Sequence, residues 1–158
     1  MNLNIVLAHP QIPQNTGNVA RTCAATGASL HLINPMGFEL NDSKMKRAGL
    51  DYWEQLNVTV YEGFDDFFIK TADKATYRFV ETRIGRNYCD IEYPNNTYLI
   101  FGREDTGLPQ ELLNVNRESC IQIPMRLGLR SLNLSNCVAV AVYEVLRQWN
   151  FPELHSPN

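Results

Sequence analysis

The chain lacks any apolar run of membrane-spanning length, and its start, Met1-Asn2-Leu3-Asn4-Ile5, lacks the basic region and length of a signal peptide. A cytoplasmic protein is the expectation. Its four cysteines (Cys23, Cys89, Cys120, Cys137) form no Cys-x-x-Cys pair, so four unpaired and mostly buried thiols are expected. His9, His31 and His155 are isolated and none stands at ligand spacing from another, which argues against a zinc site. Positive charge is not in excess: 14 Lys+Arg face 17 Asp+Glu for a net −3, so any attraction to phosphate has to be local. The familiar nucleotide and hydrolase loops are also missing. The missing Gly-x-x-x-x-Gly-Lys-Ser/Thr argues against a P-loop nucleotidase. Without Gly-x-Gly-x-x-Gly after a strand, neither a dinucleotide fold nor an ordinary Rossmann-type methyltransferase is indicated. No Gly-x-Ser-x-Gly elbow and no Ser/His/Asp order is present.

What the chain does have is a regular alternation. Its 158 residues, 44% hydrophobic and 20% charged, suit one domain over 1–158, without repeats or low-complexity segments. Short β-branched runs at Leu3–Ala8, Ser29–Ile33, Val58–Tyr61, Tyr77–Thr82, Thr97–Phe101 and Cys120–Ile123 predict strands. Thr16–Thr26, closed by Gly27, predicts a helix, as do Asp65–Thr71 and Pro109–Leu113. Ser135–Trp149 carries a strand-like Val138/Val140/Val142 alternation. It also carries a helical stripe of Val138, Ala141, Val142, Val145, Leu146 and Trp149; its length and its leading Ser and Asn favour helix, with Glu144 and Arg147 on an exposed row. That helix is apolar on its other side too, at Ala139, Val140 and Tyr143, which suggests a contact between two copies. Strands alternating with helices predict an α/β fold with a largely parallel sheet, whose ligands sit beyond the carboxyl ends of strands.

Three such strand ends carry polar motifs. Pro13-Gln14-Asn15-Thr16-Gly17-Asn18 follows the first, with Arg21 one turn on. Asn15 can cap the helix, and an arginine there can grip a phosphate through two parallel bonds. Phe101-Gly102-Arg103-Glu104-Asp105-Thr106-Gly107 follows the fifth. Ile123-Pro124-Met125 and Ser131-Leu132-Asn133-Leu134-Ser135-Asn136 follow the sixth, placing small polar side chains at the mouth of an apolar helix. Buried amides and hydroxyls cost free energy without partners, so these either cap a helix, with Ser135 or Asn136 as the expected cap, or hold a ligand. The three loops are expected to converge on one crevice.

Asn15-Thr16-Gly17-Asn18-x-x-Arg21, Phe101-Gly102-x-Glu104-x-x-Gly107 and Ile123-Pro124-Met125…Ser131-Leu132-Asn133-Leu134-Ser135-Asn136 resemble the three motifs of the SpoU branch of the SPOUT RNA methyltransferases. Pro10–Arg21, His31–Gly37, Arg47–Tyr52 and Val142–Trp149 resemble the small single-domain TrmL-type members, over about Leu3 to Trp149. The resemblance implies a SPOUT α/β fold with a deep C-terminal trefoil knot over roughly 97–150, a homodimer, and S-adenosyl-L-methionine (SAM) as methyl donor. It implies transfer to the ribose 2′-hydroxyl of the wobble nucleotide, position 34 (cytidine or a modified uridine), in the anticodon stem-loop of tRNA, with leucine isoacceptors as the expected substrates. Carried over residue by residue, it puts cofactor contacts at Val80, Gly102, Ile123, Ser131 and Leu132, and catalytic work at Arg21, Asn15, Glu104 and Asn133. A guanidinium does not readily act as a base, so Arg21 is expected to fix the adjacent phosphate and polarise the hydroxyl, aided by Glu104.

The chain departs from the family pattern in two places. Arg103-Glu104-Asp105-Thr106 replaces the Pro-Glu-Thr-Arg of close relatives, and His9 stands where relatives carry an acid. Local basic groups, Lys44, Lys46 and Arg47 together with Arg83 and Arg86, are the expected phosphate contacts. The rival readings are a SpoU-type enzyme for another tRNA or ribosomal site, and an RNA-binding module without turnover.

Overall fold

The computed structural model describes residues 1–40, 53, 56–73 and 75–154. Seven strands form one parallel sheet in the order β3-β2-β1-β6-β4-β7-β5. They are β1 (Leu3–Ala8), β2 (Ser29–Ile33), β3 (Val58–Tyr61), β4 (Thr76–Glu81), β5 (Arg86–Asn87), β6 (Thr97–Phe101) and β7 (Cys120–Gln122). Every residue of β1 and β6 is buried, because helices cover both faces of the sheet. Successive side chains therefore serve opposite cores. Ile5, Leu7, Leu99, Phe101 and Ile121 pack under α1 (Pro13–Thr26) and α4 (Leu134–Gln148). Val6, Ala8, Phe79, Ile100 and Cys120 pack with Phe67 of α2 (Phe64–Thr71) and Leu113 of α3 (Gln110–Val115) on the other face.

The expected helices are all present, with shifted ends. α1 begins at Pro13, whose missing N–H costs nothing in a first turn. Its N-cap is Ile12, so Asn15 lies inside the helix and does not cap it. Gly27, at φ 73°, ends the helix in the left-handed conformation that suits glycine. β5 was not expected. It is two residues long and pairs only with β7 at the sheet edge.

α4 returns from β7 across the sheet to lie against α1. Its last turn is fastened to the segment that leads from β5 to β6. The Trp149 indole donates to the Tyr93 carbonyl (2.6 Å), and the Gln148 amide donates to the Ile91 carbonyl (2.9 Å) while accepting from the Tyr93 N–H (3.3 Å). Glu144, expected on an exposed row, is buried: it accepts from Arg147 through Nε and Nη2 at 2.8 and 2.9 Å and from Gln148 at 2.8 Å. Arg147 holds its carboxyl below the usual carboxylate range. Buried charge is tolerated where it is paired and fully hydrogen-bonded.

On the opposite core, His31 of β2 is held between the Tyr61 hydroxyl (2.8 Å) and Asn4 Oδ1 (3.1 Å). Burial pushes its imidazole down to about 4, so it stays neutral. The four cysteines are unpaired; Cys23 and Cys120 are buried, Cys137 is half-buried and Cys89 is exposed. Among the described residues, no helix is long and apolar enough to cross a membrane, and no cluster of His, Cys, Asp or Glu could hold a metal.

Candidate functional site

β6, β4 and β7 are neighbours in the sheet, so the loops beyond their carboxyl ends meet. They enclose a cavity of about 710 Å³. All five sequence-derived cofactor positions line it: Val80 at the end of β4, Gly102 after β6, Ile123 after β7, and Ser131 and Leu132 before α4. Phe101, Leu134 and Cys137 add apolar wall, while Arg83, Arg103 and Arg130 bring guanidinium groups to the rim. Burial raises the Cys137 thiol, so it stays protonated and acts as apolar lining.

The loop after β6 is closed on itself: the Arg103 N–H donates to the Gly107 carbonyl (3.2 Å) and the Gly107 N–H to that of Arg103 (3.0 Å). This closure needs Gly102, because a Cβ there would lie 2.1 Å from the Gly107 carbonyl carbon. Two carboxylates then pin the loop from either side. Glu81 Oε1 accepts the Leu108 N–H (2.9 Å) and would meet a Cβ at Gly107, whose φ is 70°, at 2.8 Å. Glu104 reaches the start of α1. Its Oε2 accepts the Gln11 N–H (2.9 Å), and its Oε1 accepts the Ile12 N–H (3.1 Å) and the Asn15 amide (3.2 Å).

Asn15 passes the chain of bonds onward. Its Oδ1 accepts the Asn133 amide at 3.0 Å, and Asn133 Oδ1 accepts both the N–H (2.9 Å) and the hydroxyl (2.7 Å) of Ser135. Asn133 is therefore the cap of α4, the role expected of Ser135 or Asn136. Glu104, Asn15 and Asn133 come from three motifs and form one hydrogen-bonded line from the cavity loop, through the first turn of α1, to the first turn of α4. Asn15 is 5% exposed, so its amide depends on these two partners.

Arg21 is not among the cavity-lining residues. It is exposed on α1, six residues or about 9 Å beyond Asn15 along the axis. Lys44, Lys46 and Arg47 lie outside the described residues. Arg83 and Arg86 are exposed. Sequence reasoning missed Glu81, for which the available signal was an acidic residue at the carboxyl end of a strand that lies between two others in the sheet. It also missed the pairing of Arg103 with Asp105: Nε to Oδ1 at 2.8 Å and Nη2 to Oδ2 at 2.7 Å, which takes the Asp105 carboxyl down to about 2.

Comparison with known proteins bears on the family and the fold. The profile of the SpoU rRNA Methylase family matches residues 2–143. A Listeria innocua protein named for tRNA (cytidine(34)-2′-O)-methyltransferase activity is 51% identical over 160 residues, covering 98% of this chain and 94% of its own. A solved structure described as giving insight into the 2-OH methylation of C/U34 on tRNA superposes with a TM-score of 0.90 at 43% identity, covering 94% of this chain and 97% of that one. The Streptomyces viridochromogenes SpoU methyltransferase AviRb, solved with AdoMet, shares the fold at a TM-score of 0.79 and 22% identity, over 93% of this chain and 60% of that one.

Proposed function

The chain belongs to the SpoU rRNA methylase family, and on that premise we propose that it methylates the ribose 2′-hydroxyl of the wobble nucleotide in tRNA, with SAM as donor. One observation carries the reading: a cavity at the carboxyl ends of β6, β4 and β7 is bordered by the hydrogen-bonded line Glu104–Asn15–Asn133. The cavity fits such a donor. Val80, Phe101, Ile123, Leu132 and Leu134 offer apolar wall to an adenine and a thioether stem, and the glycine-bearing loop brings backbone groups close without side chains in the way. When bound, SAM supplies an electrophilic methyl group on a sulfonium.

Transfer to a hydroxyl is an in-line displacement, so placing the two reactants supplies much of the acceleration. Glu104 serves that placement by fastening the cofactor loop to α1, and Asn133 by fixing where α4 begins. Arg21 fixes the phosphate beside the acceptor ribose and polarises its hydroxyl; its exposure on α1 supports a contact with RNA rather than with the donor. Arg21→Lys keeps the charge and loses the fork, so activity should fall while SAM affinity holds. Full activity in Arg21→Lys contradicts the bidentate role.

The acting unit is a homodimer. Val140 and Tyr143 on the outer face of α4 are 39% and 50% exposed, forming an apolar strip beside α1 that a second copy covers. The C-terminal segment is knotted. Its return from β7 to α1, and its fastening to the segment bearing Ile91 and Tyr93, are compatible with that path. The substrates are leucine isoacceptors, engaged at the anticodon stem-loop.

The test is mass spectrometry of nucleosides from unmodified tRNA incubated with the protein and SAM. A 2′-O-methylated cytidine or uridine mapped to position 34 is the expected product. Methylation at another position, or SAM binding without methylation of any tRNA, overturns the assignment.

A further inference from the structure

We propose that Arg103 is a phosphate-binding residue for the RNA backbone at the cavity mouth, and that Asp105 holds its guanidinium until RNA displaces the carboxylate. The inference rests on the RNA reading of this same site. Its basis is the geometry of the loop after β6. The loop is closed by its own 103–107 backbone bonds and pinned by Glu81 and Glu104, so the side chains of residues 103 and 105 are left to pair with each other. Both are accessible, at 37% and 58% side-chain exposure.

The pair is fork to fork, with two near-equal bonds of 2.8 and 2.7 Å. That is the arrangement a guanidinium offers to two oxygens of a phosphate, with the Asp105 carboxylate in the place of the phosphodiester. An exposed ion pair contributes little net stability, so exchanging one oxyanion for another is a small step. The surroundings favour the incoming phosphate. Arg83 and Arg130 share the cavity and Arg126 lines an adjoining one of about 590 Å³. None of these three has an ion-pair partner among the described residues. Glu81 and Glu104 turn their oxygens to backbone N–H groups. Four arginines thus stand near the mouth against the carboxylates of Glu81, Glu104 and Asp105, and Asp105 is the carboxylate among them that is paired with an arginine. RNA that reaches the mouth in the wrong register meets a neutral pair, whereas RNA that places a phosphate over Arg103 gains a two-pronged contact.

The test is the affinity of tRNA for four proteins, wild type, Asp105→Asn, Arg103→Gln and the double variant, with thermal melts to confirm that each is folded. Asp105→Asn should tighten tRNA binding about three- to tenfold. Arg103→Gln should weaken it and make the plot of log affinity against log salt shallower by about one. The gain from Asp105→Asn should vanish in the Arg103→Gln background. A gain that persists there means Asp105 merely repels RNA and overturns the proposal, as does an unchanged salt slope in Arg103→Gln. Wild-type protein that fails to bind tRNA at all overturns the functional reading itself and this inference with it.

Discussion

Replacing Asn133 with alanine removes three hydrogen bonds together: the cap on the Ser135 N–H, the bond from the Ser135 hydroxyl and the bond to Asn15 Oδ1. Loss of an Asn cap costs about 1 kcal/mol. Asn15 and Ser135 are 5% and 8% exposed, so water replaces their lost partner poorly, and a stranded buried polar group costs about 1–2 kcal/mol more. The sum, about 2–3 kcal/mol, corresponds in a chain of this size to a fall in Tm of about 5–10 °C. Asn133→Asp separates the two contributions. A carboxylate still caps Ser135 but presents an oxygen to Asn15 Oδ1, while the Asn15 amide stays committed to Glu104. It should therefore recover about 1 kcal/mol of the loss. Urea unfolding followed by circular dichroism reads both variants, with a constant m-value as the check on two-state behaviour. An Asn133→Ala protein that melts within about 1 °C of the wild type refutes the reasoning, because the line from Glu104 to Ser135 would then carry no stability.

Gly102→Ala should cut SAM affinity about tenfold or more in titration calorimetry, since its Cβ would lie 2.1 Å from backbone that has nowhere to go; unchanged affinity would mean that the loop is not the cofactor wall. His31 gives a pH signature. Its folded value of about 4 lies below the ordinary 6.5, so its contribution is whole above about pH 6.5 and is lost as pH falls toward 4, by about 3 kcal/mol. In urea titrations His31→Gln should lack that part of the pH slope; identical slopes would place the proton uptake elsewhere. Affinity for tRNA should fall steeply with salt, and Arg83→Gln with Arg86→Gln together should reduce the slope by about two; binding flat in salt would rule out phosphate contact at these positions.

The sheet was readable because its central strands β1 and β6, and most of β2, are buried on both faces and read as unbroken apolar or β-branched runs. Four of the six strand ranges read from β-branched runs agree with the structure at both ends, and the other two differ by one residue. β5 was not readable: two residues, Arg86 and Asn87, carry no pattern, and they pair only because β7 passes beside them. The start of α1 was misread because Asn15 looks like a cap, when Pro13 was the better signal. Glu144 was misread because an acid three residues before an arginine usually marks a solvated row, whereas here Gln148 and Arg147 satisfy it against the core. The cavity-lining positions came from motif resemblance. That Asn15 bonds Glu104, 89 residues away, and Asn133, 118 away, could not be seen in any spacing. Local sequence showed which groups were polar and needed partners; only the fold shows that they are one another's partners.

The fastening of α4 at Trp149 and Gln148 joins two distant places. The helix capped by Asn133 runs 15 residues, Leu134–Gln148, about 22 Å, and is tied at its far end to Tyr93 and Ile91. A rigid rod held at one end transmits displacement to the other. With the Asn133 cap holding the near end, the far anchor fixes the direction of the helix along which Leu134 and Cys137 meet the cavity wall. Damage to that anchor, remote from every reacting group, would register first as a pocket of altered shape and only later as a loss of fold.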